Sequence, residues 1–122
     1  MQGNKGDNLI VELTLDFALQ IISYSEKLEN NRKYVLARQL LKSGTSIGAN
    51  VREAQNAEST RDFIHKLKIA AKEADETIYW LTLCKVSYAH DICNDLTDAC
   101  NSIIKVLSKI ISTSKTKYRY NY

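Results

Sequence analysis

Apolar residues recur every three or four positions along most of the chain, which is the spacing of one face of an α-helix. Four such segments follow one another, separated by short polar stretches. Proline is absent and glycine occurs only four times, so residues that break helices are scarce. The pattern predicts an all-α protein folded as an antiparallel up-down-up-down four-helix bundle. The predicted helices cover about 9–28, 33–56, 60–88 and 95–111.

Two of the predicted helices carry apolar residues on a second face as well. In the first helix this face holds Val11 and Ala18, and in the third it holds a tryptophan beside a tyrosine. A four-helix bundle on its own hides one stripe per helix, so a second stripe indicates self-association. We therefore predict an oligomer interface formed by Leu15, Ile22, Ile69, Tyr79, Trp80 and Leu83.

Local signals place several helix ends and one helix crossing. Ser59 followed by Asp62 is typical of a capping box at the start of the third helix. We expect Asp7 or Asn8 to cap the first helix and Asn94 or Asp95 to cap the fourth. In the second helix, glycines at positions 44 and 48 lie one turn apart, which predicts a close approach by a neighbouring helix.

The length of 122 residues predicts a single domain over 1–122, with flexible ends at 1–8 and 113–122. The stretch from Ser112 contains three bases and three tyrosines, so an arm that contacts phosphates and bases is the alternative to a flexible end. With 44% hydrophobic and 25% charged residues, and no apolar run of about 20 residues, neither disorder nor a membrane protein is indicated. The first residues do not resemble a secretion signal, so we expect a cytoplasmic protein.

Candidate catalytic chemistry is sparse. The three cysteines contain no C-x-x-C pair, which favours free thiols. His65 and His90 stand apart from each other, and no glycine-rich phosphate loop is present. We expect neither an enzyme nor a metal or cofactor site. A site around Asn50 and Glu53 is the least favoured alternative; an ion pair of Glu53 with a neighbouring helix is the simpler interpretation.

The net charge of +3 is unevenly spread. Residues 31–57 contain five bases and one acid, whereas residues 58–88 sum to zero. Arg38, Lys42 and Arg52 fall on the outward side of the second helix, and we call them the α2 basic patch. The patch predicts either an ordinary solvated face or a weak contact with nucleic acid that repetition in an oligomer would strengthen.

The central stretch resembles a bacterial four-helix-bundle family, the proteins encoded by intervening sequences of large-subunit ribosomal RNA genes. Its first block, Ser-x-x-Ser-Ile-x-x-Asn-Val-x-Glu, is matched in the second helix. A second block, Ser-x-x-Asp-Phe, follows it, and Glu-x-x-Tyr-Trp-Leu is matched at Glu76–Leu81. The residues matched in the first two blocks, which we expect to be structural, are Ser43, Ser46, Asn50, Glu53, Ser59, Asp62 and Phe63. Without the resemblance, small polar residues in this block indicate either satisfied hydrogen bonds at a helix seam or a ligand site.

The resemblance implies a non-catalytic protomer that assembles into a homo-oligomeric ring, a pentamer in known relatives. It also implies kinship with the accessory protein of diversity-generating retroelements, which binds a reverse transcriptase and nucleic acid. RNA or a nucleoprotein is therefore the expected partner, and a protein-partner adaptor with no nucleic-acid role is the alternative.

Overall fold

The computed structural model describes residues 5–120, with side chains described for residues 9–117. Four helices follow one another: α1 (Lys5–Asn30), α2 (Tyr34–Gln55), α3 (Thr60–Tyr88) and α4 (Ile92–Tyr120). Each helix packs against the next in sequence, and α4 returns to pack against α1. The helices α1 and α3 therefore lie diagonally across the bundle. The predicted fold, an all-α up-down four-helix bundle, is confirmed.

The core is formed by the stripe of apolar residues that the spacing picks out in each helix. Its largest buried side chains include Phe17 of α1, Ile47 of α2, Phe63 of α3 and Leu107 of α4. All three cysteines are free and buried in this core, as predicted. Burying an aliphatic or aromatic side chain stabilises a fold by about 1.5–3 kcal/mol, so these stripes supply the main driving force for the bundle.

The two tight connections each use one residue in the left-handed backbone region. Between α1 and α2, Arg32 has φ 63°, and the following amide nitrogen, that of Lys33, donates to the carbonyl of Leu28 at 2.8 Å. At the end of α3, Ala89 has φ 55° and donates its amide to the carbonyl of Lys85 at 2.9 Å. A left-handed residue after a helix satisfies carbonyls that would otherwise lack a partner, and it turns the chain back along the bundle.

The helices are longer at both ends of the chain than the sequence suggested. α1 begins at Lys5, so Asp7 and Asn8 lie inside it and the N-cap prediction was wrong. α4 begins at Ile92, ahead of the predicted caps. The backbone amides of Cys93 and Asn94 already donate to the carbonyls of His90 and Asp91. α4 also continues past residue 112 to Tyr120, a stretch without proline or glycine. The predictions for residues 1–4 and 121–122 lie outside the described residues.

The two glycines of α2 mark its crossing with α1, as predicted. A methyl group added at Gly44 would lie 2.8 Å from Ile21 Cγ2, and one added at Gly48 would lie 3.4 Å from Thr14 Cβ. The missing side chains let α1 approach α2 closely, which compensates for the low helix propensity of glycine.

Candidate functional site

The outward side of α1 leaves large apolar side chains in contact with solvent. Leu15 is 59% exposed, Leu19 is 58% exposed and Ile22 is 37% exposed. We call these three residues the α1 outer face. Beside it, a groove of about 230 Å³ runs between α1 and α2, with Thr45, Gly48 and Arg52 on its α2 side. The prediction that Leu15 and Ile22 are available for an interface is consistent with this exposure, and Leu19 is an addition that the sequence analysis missed.

The second predicted face, on α3, is less open. Tyr79 is 57% exposed and its ring packs edge-on against that of Trp80, with centroids 5.1 Å apart. Trp80, Ile69 and Leu83 are each half-buried. Trp80 also packs against the core, and its ring nitrogen is buried without a hydrogen-bond partner. Trp80 is therefore only partly exposed, and its role in an oligomer interface stays a prediction.

The family-motif residues of α2 have structural hydrogen bonds. The hydroxyl of Ser43 is fully buried and lies 3.0 Å from that of Thr77 on α3. Ser46 donates to the carbonyl of Lys42 at 2.7 Å, and the amide of Asn50 donates to the carbonyl of Ser46 at 2.8 Å. Ser43 thus links α2 to α3, whereas Ser46 and Asn50 bond to backbone carbonyls of α2 itself, and all three bonds are structural.

Glu53 makes an ion pair with Lys66 of α3 at 3.1 Å, the simpler of the two expected roles. At the start of α3, the hydroxyl of Ser59 accepts from the amide of Asp62 at 3.0 Å. The carboxylate of Asp62 accepts from the amide of Glu58 at 3.4 Å, and Phe63 is buried in the core. The bonds of Ser59 and Asp62 confirm the predicted helix start, and the ion pair of Glu53 links α2 to α3 near their connection.

The three residues of the α2 basic patch are all exposed. At 100° per residue they fall within an arc of about 80° on α2, and at 1.5 Å per residue they span about 21 Å. None of them makes an ion pair with another described residue. Lys42 lies near Glu73 of α3: burial and then the neighbouring Glu76 raise the pKa of Glu73, while the ammonium of Lys42 lowers it.

A second row of cations on α3 was missed. Arg61, His65, Lys68 and Lys72 are spaced by four, three and four residues, and all four are exposed. Arg61, Lys68 and Lys72 carry positive charge at pH 7, and we call the four residues the α3 cation row after them. The charge sum over 58–88 concealed it, because the acids Glu73, Asp75 and Glu76 follow in the next turn and cancel it. Reading the charges at helical spacing would have found the row.

One end of the bundle holds a buried polar cluster. The hydroxyl of Tyr24 lies 2.7 Å from His90 Nδ1, and the thiol of Cys93 donates to that hydroxyl at 3.3 Å. Burial, the hydrogen bond with Cys93 and the nearby Cys84 raise the pKa of Tyr24 far above its ordinary value. Burial also raises the pKa of the Cys84 thiol to about 11. These groups stay neutral, which suits a structural role.

Among the side chains of residues 9–117, no group of three or more His, Cys, Asp or Glu is arranged to hold a metal ion. Within the part of the chain that the structure describes, no helix combines the length and apolarity that crossing a membrane requires.

Comparison with known proteins shows which family has this architecture. No curated protein matches the chain. A crystal structure of a protein of unknown function from the S23 ribosomal protein family of Bacteroides thetaiotaomicron is 42% identical, with a TM-score of 0.85. The match covers 88% of this chain and 98% of that one. Residues 6–109 match the family model of the 23S rRNA-intervening sequence proteins. The chain therefore belongs to the 23S rRNA-intervening sequence protein family.

Proposed function

We propose that the chain is a non-catalytic, homo-oligomeric binding protein that contacts RNA or a ribonucleoprotein through its basic surface. The observation that carries the proposal is the α1 outer face, where leucine side chains are more than half exposed. Contiguous apolar surface of this kind on a helix is costly in water and marks an interaction surface. A second copy of the chain is the occupant that we propose for it.

The placement of the two apolar faces favours a ring over a simple dimer. The α1 outer face and the face of Ile69, Tyr79, Trp80 and Leu83 lie on diagonally opposed helices, so they cannot form one continuous patch. Two different patches that bind each other make a head-to-tail contact, and such a contact closes into a ring when the rotation permits. The pentamer implied by the family resemblance is consistent with this arrangement.

The absence of catalysis is part of the proposal. The catalytic alternative rests on Asn50 and Glu53. Asn50 donates to the carbonyl of Ser46, and Glu53 makes an ion pair with Lys66. The thiols of Cys84 and Cys100 and the hydroxyl of Tyr24 have raised pKa values, so none of these three is activated as a nucleophile. A binding role in the cytoplasm needs no cofactor, and none is proposed.

Assembly is tested by Leu15→Glu, which places a charge on the α1 outer face. We expect the wild-type chain to form an oligomer at micromolar concentration and this variant to dissociate to smaller species in size-exclusion chromatography with light scattering. Val35→Glu is the matched control, since Val35 is 66% exposed in the first turn of α2 and belongs to neither of the two proposed apolar faces. A wild-type monomer, or equal dissociation in both variants, would contradict the proposal.

Nucleic-acid binding is supported by the unpaired cations on α2 and by the resemblance to the retroelement accessory protein. Replacing Arg38, Lys42 and Arg52 by Gln, the α2 triple variant, should weaken RNA binding and make it less dependent on salt. Fluorescence anisotropy over a salt series measures both. Failure of the wild-type chain to bind RNA even at low salt would remove this part of the proposal.

The alternative role is an adaptor for a protein partner. The groove between α1 and α2 favours it, since it is mostly apolar and has a single cation, Arg52, at its edge. Affinity capture with and without nuclease separates the two roles. Partners that are lost after nuclease treatment support RNA binding, and partners that survive it support the adaptor.

A further inference from the structure

We propose that the α3 cation row is the track on which the chain holds the phosphate backbone of a single-stranded nucleic acid. The inference rests on the proposed nucleic-acid role and names the surface and the strand type. It adds a contact on α3 to the α2 basic patch, and it assigns to α3 the larger share of the phosphate contacts.

The first argument is geometric. At 100° per residue, Arg61, His65, Lys68 and Lys72 fall within an arc of about 60°, narrower than the arc of the α2 basic patch. Along the axis the row is about 17 Å long, with steps of about 6, 4.5 and 6 Å. The α2 basic patch has a gap of ten residues, about 15 Å, between Lys42 and Arg52. Compared with the α2 basic patch, the row on α3 offers more closely and more evenly spaced donors for successive phosphates.

The second argument concerns charge. With histidine counted as neutral, residues 61–72 contain four positive charges, two of them on Lys66 and Lys68, and a single acid, Asp62. That acid is engaged in the cap of α3, and Lys66 is paired with Glu53, so neither interferes with the row. Among the described residues, Arg61, Lys68 and Lys72 have no ion-pair partner. Cations without partners on one line are the form of surface that releases counterions when it binds a polyanion.

The third argument selects the strand type. The four residues follow one line along a single helix, and all of them are exposed. A flexible single strand can lay its backbone along such a line, whereas each strand of a duplex winds away from it. The row ends one heptad before Tyr79, a member of the proposed interface, so in a ring each row would begin or end beside a subunit boundary. Repetition around the ring would then raise the overall affinity.

The test compares three variants that each remove three positive charges. The α3 triple variant replaces Arg61, Lys68 and Lys72 by Gln. The α2 triple variant is the one described above. The control replaces three exposed lysines on α4, namely Lys105, Lys109 and Lys117, by Gln. All three variants lose the same net charge, so a difference in RNA affinity between them depends on which residues are replaced. Circular dichroism and light scattering verify that helix content and assembly are retained.

The probe is a labelled oligouridylate of about 16 nucleotides, the upper end of known single-strand site sizes. We expect the α3 triple variant to bind it about 10- to 100-fold more weakly than the α4 control at equal salt. Its plot of log affinity against log salt should be less steep by about 2, from three lost contacts at about 0.7 each. A charge-preserving variant, Arg61→Lys with Lys68→Arg and Lys72→Arg, should bind as the wild type does.

The outcomes separate the two proposals. If the wild type binds and the α3 triple variant matches the α4 control, the inference is overturned while the proposed function stands. A loss confined to the α2 triple variant has the same meaning. If the wild type binds no RNA, the nucleic-acid part of the proposed function fails. A duplex of equal length bound as tightly, through the same residues, overturns the assignment to single strands.

Discussion

Gly44 and Gly48 lie one turn apart on α2, yet they leave different amounts of room. Three atoms of Ile21, including its Cβ, would lie within 3.2 Å of a Cβ at Gly44. Ile21 is fully buried, so it cannot move aside without disturbing the core. At Gly48 the nearest atoms belong to Thr14 at 3.4 Å, an ordinary van der Waals contact. The first glycine is required by packing, whereas the second could be replaced.

We therefore predict opposite effects of alanine at the two positions. Gly44→Ala should lower the free energy of unfolding by roughly 1–2 kcal/mol, because overpacking at about 1–3 kcal/mol outweighs the gain in helix propensity of about 1 kcal/mol. Gly48→Ala should be neutral or stabilising by up to about 1 kcal/mol. Urea unfolding at one fixed protein concentration measures both, since assembly makes stability depend on concentration. Equal effects would show that the crossing is not as close as described.

At the scale of helices, a buried hydrogen bond fixes how α2 and α3 sit against each other. The hydroxyls of Ser43 and Thr77 meet at 3.0 Å, and both residues are fully buried. Thr77 also donates to the carbonyl of Glu73 at 2.8 Å. Because the rest of this seam is apolar, sliding one helix along the other would leave both hydroxyls without their partner.

Thr77→Val keeps the shape of the side chain and removes this bond. We expect it to lower the free energy of unfolding by about 1–2 kcal/mol, because the Ser43 hydroxyl retains only a 3.4 Å contact to the carbonyl of Leu40. Adding Ser43→Ala should recover part of the loss, since a pair of apolar groups leaves no polar atom unsatisfied. A double-mutant cycle by urea unfolding measures the coupling, and strictly additive effects would argue against it.

Sequence periodicity predicted the elements well because it reports burial directly. Residues at helical spacing, such as Phe63, Leu67 and Leu81, are buried as expected. Helix ends were harder to predict, since they depend on single hydrogen bonds such as that from Asn94 to Asp91. The partial burial of Trp80 was also not predictable, because it depends on how the helices pack around it. The α3 cation row needed no structure, only charges read at the helical period.

At the scale of the whole molecule, the core holds ionisable groups in their neutral forms. Burial, which is the largest cause, and the neighbouring Cys93 raise the pKa of Cys84 to about 11, while a hydrogen bond with Tyr24 lowers it. Burial and then the charge of Asp75 raise the pKa of Cys100 to about 12. Tyr24 is shifted upward as well. These groups lie on α1, α3 and α4, so their deprotonation would place charge inside the core shared by the bundle.

Raised pKa values make the fold sensitive to alkali, and the sign follows from proton counting. In the unfolded chain the thiols lose protons from about their ordinary pKa of 9.0, whereas in the folded chain they keep them until about 11 and 12. Between these values the folded state binds more protons than the unfolded state. The contribution of the thiols to the free energy of unfolding is therefore fully present below pH 9 and is lost as the pH rises. Each such thiol contributes a slope of about 1.4 kcal/mol per pH unit within that range.

We predict that the free energy of unfolding falls between pH 8 and pH 10.5, measured by urea unfolding under reducing conditions, and that Cys100→Ala makes the fall shallower. Ser25→Ala is the control, since Ser25 is equally buried, similar in size and does not ionise in this range. Any change that it makes to the stability should be the same at every pH, so the pH dependence should remain as in the wild type. A cavity or a lost contact changes the free energy of unfolding by the same amount at both pH values. Only a change in the slope against pH therefore reports the titration of the thiol. If Cys100→Ala and Ser25→Ala show the same slope as the wild type, the Cys100 thiol does not remain protonated in the core over this range.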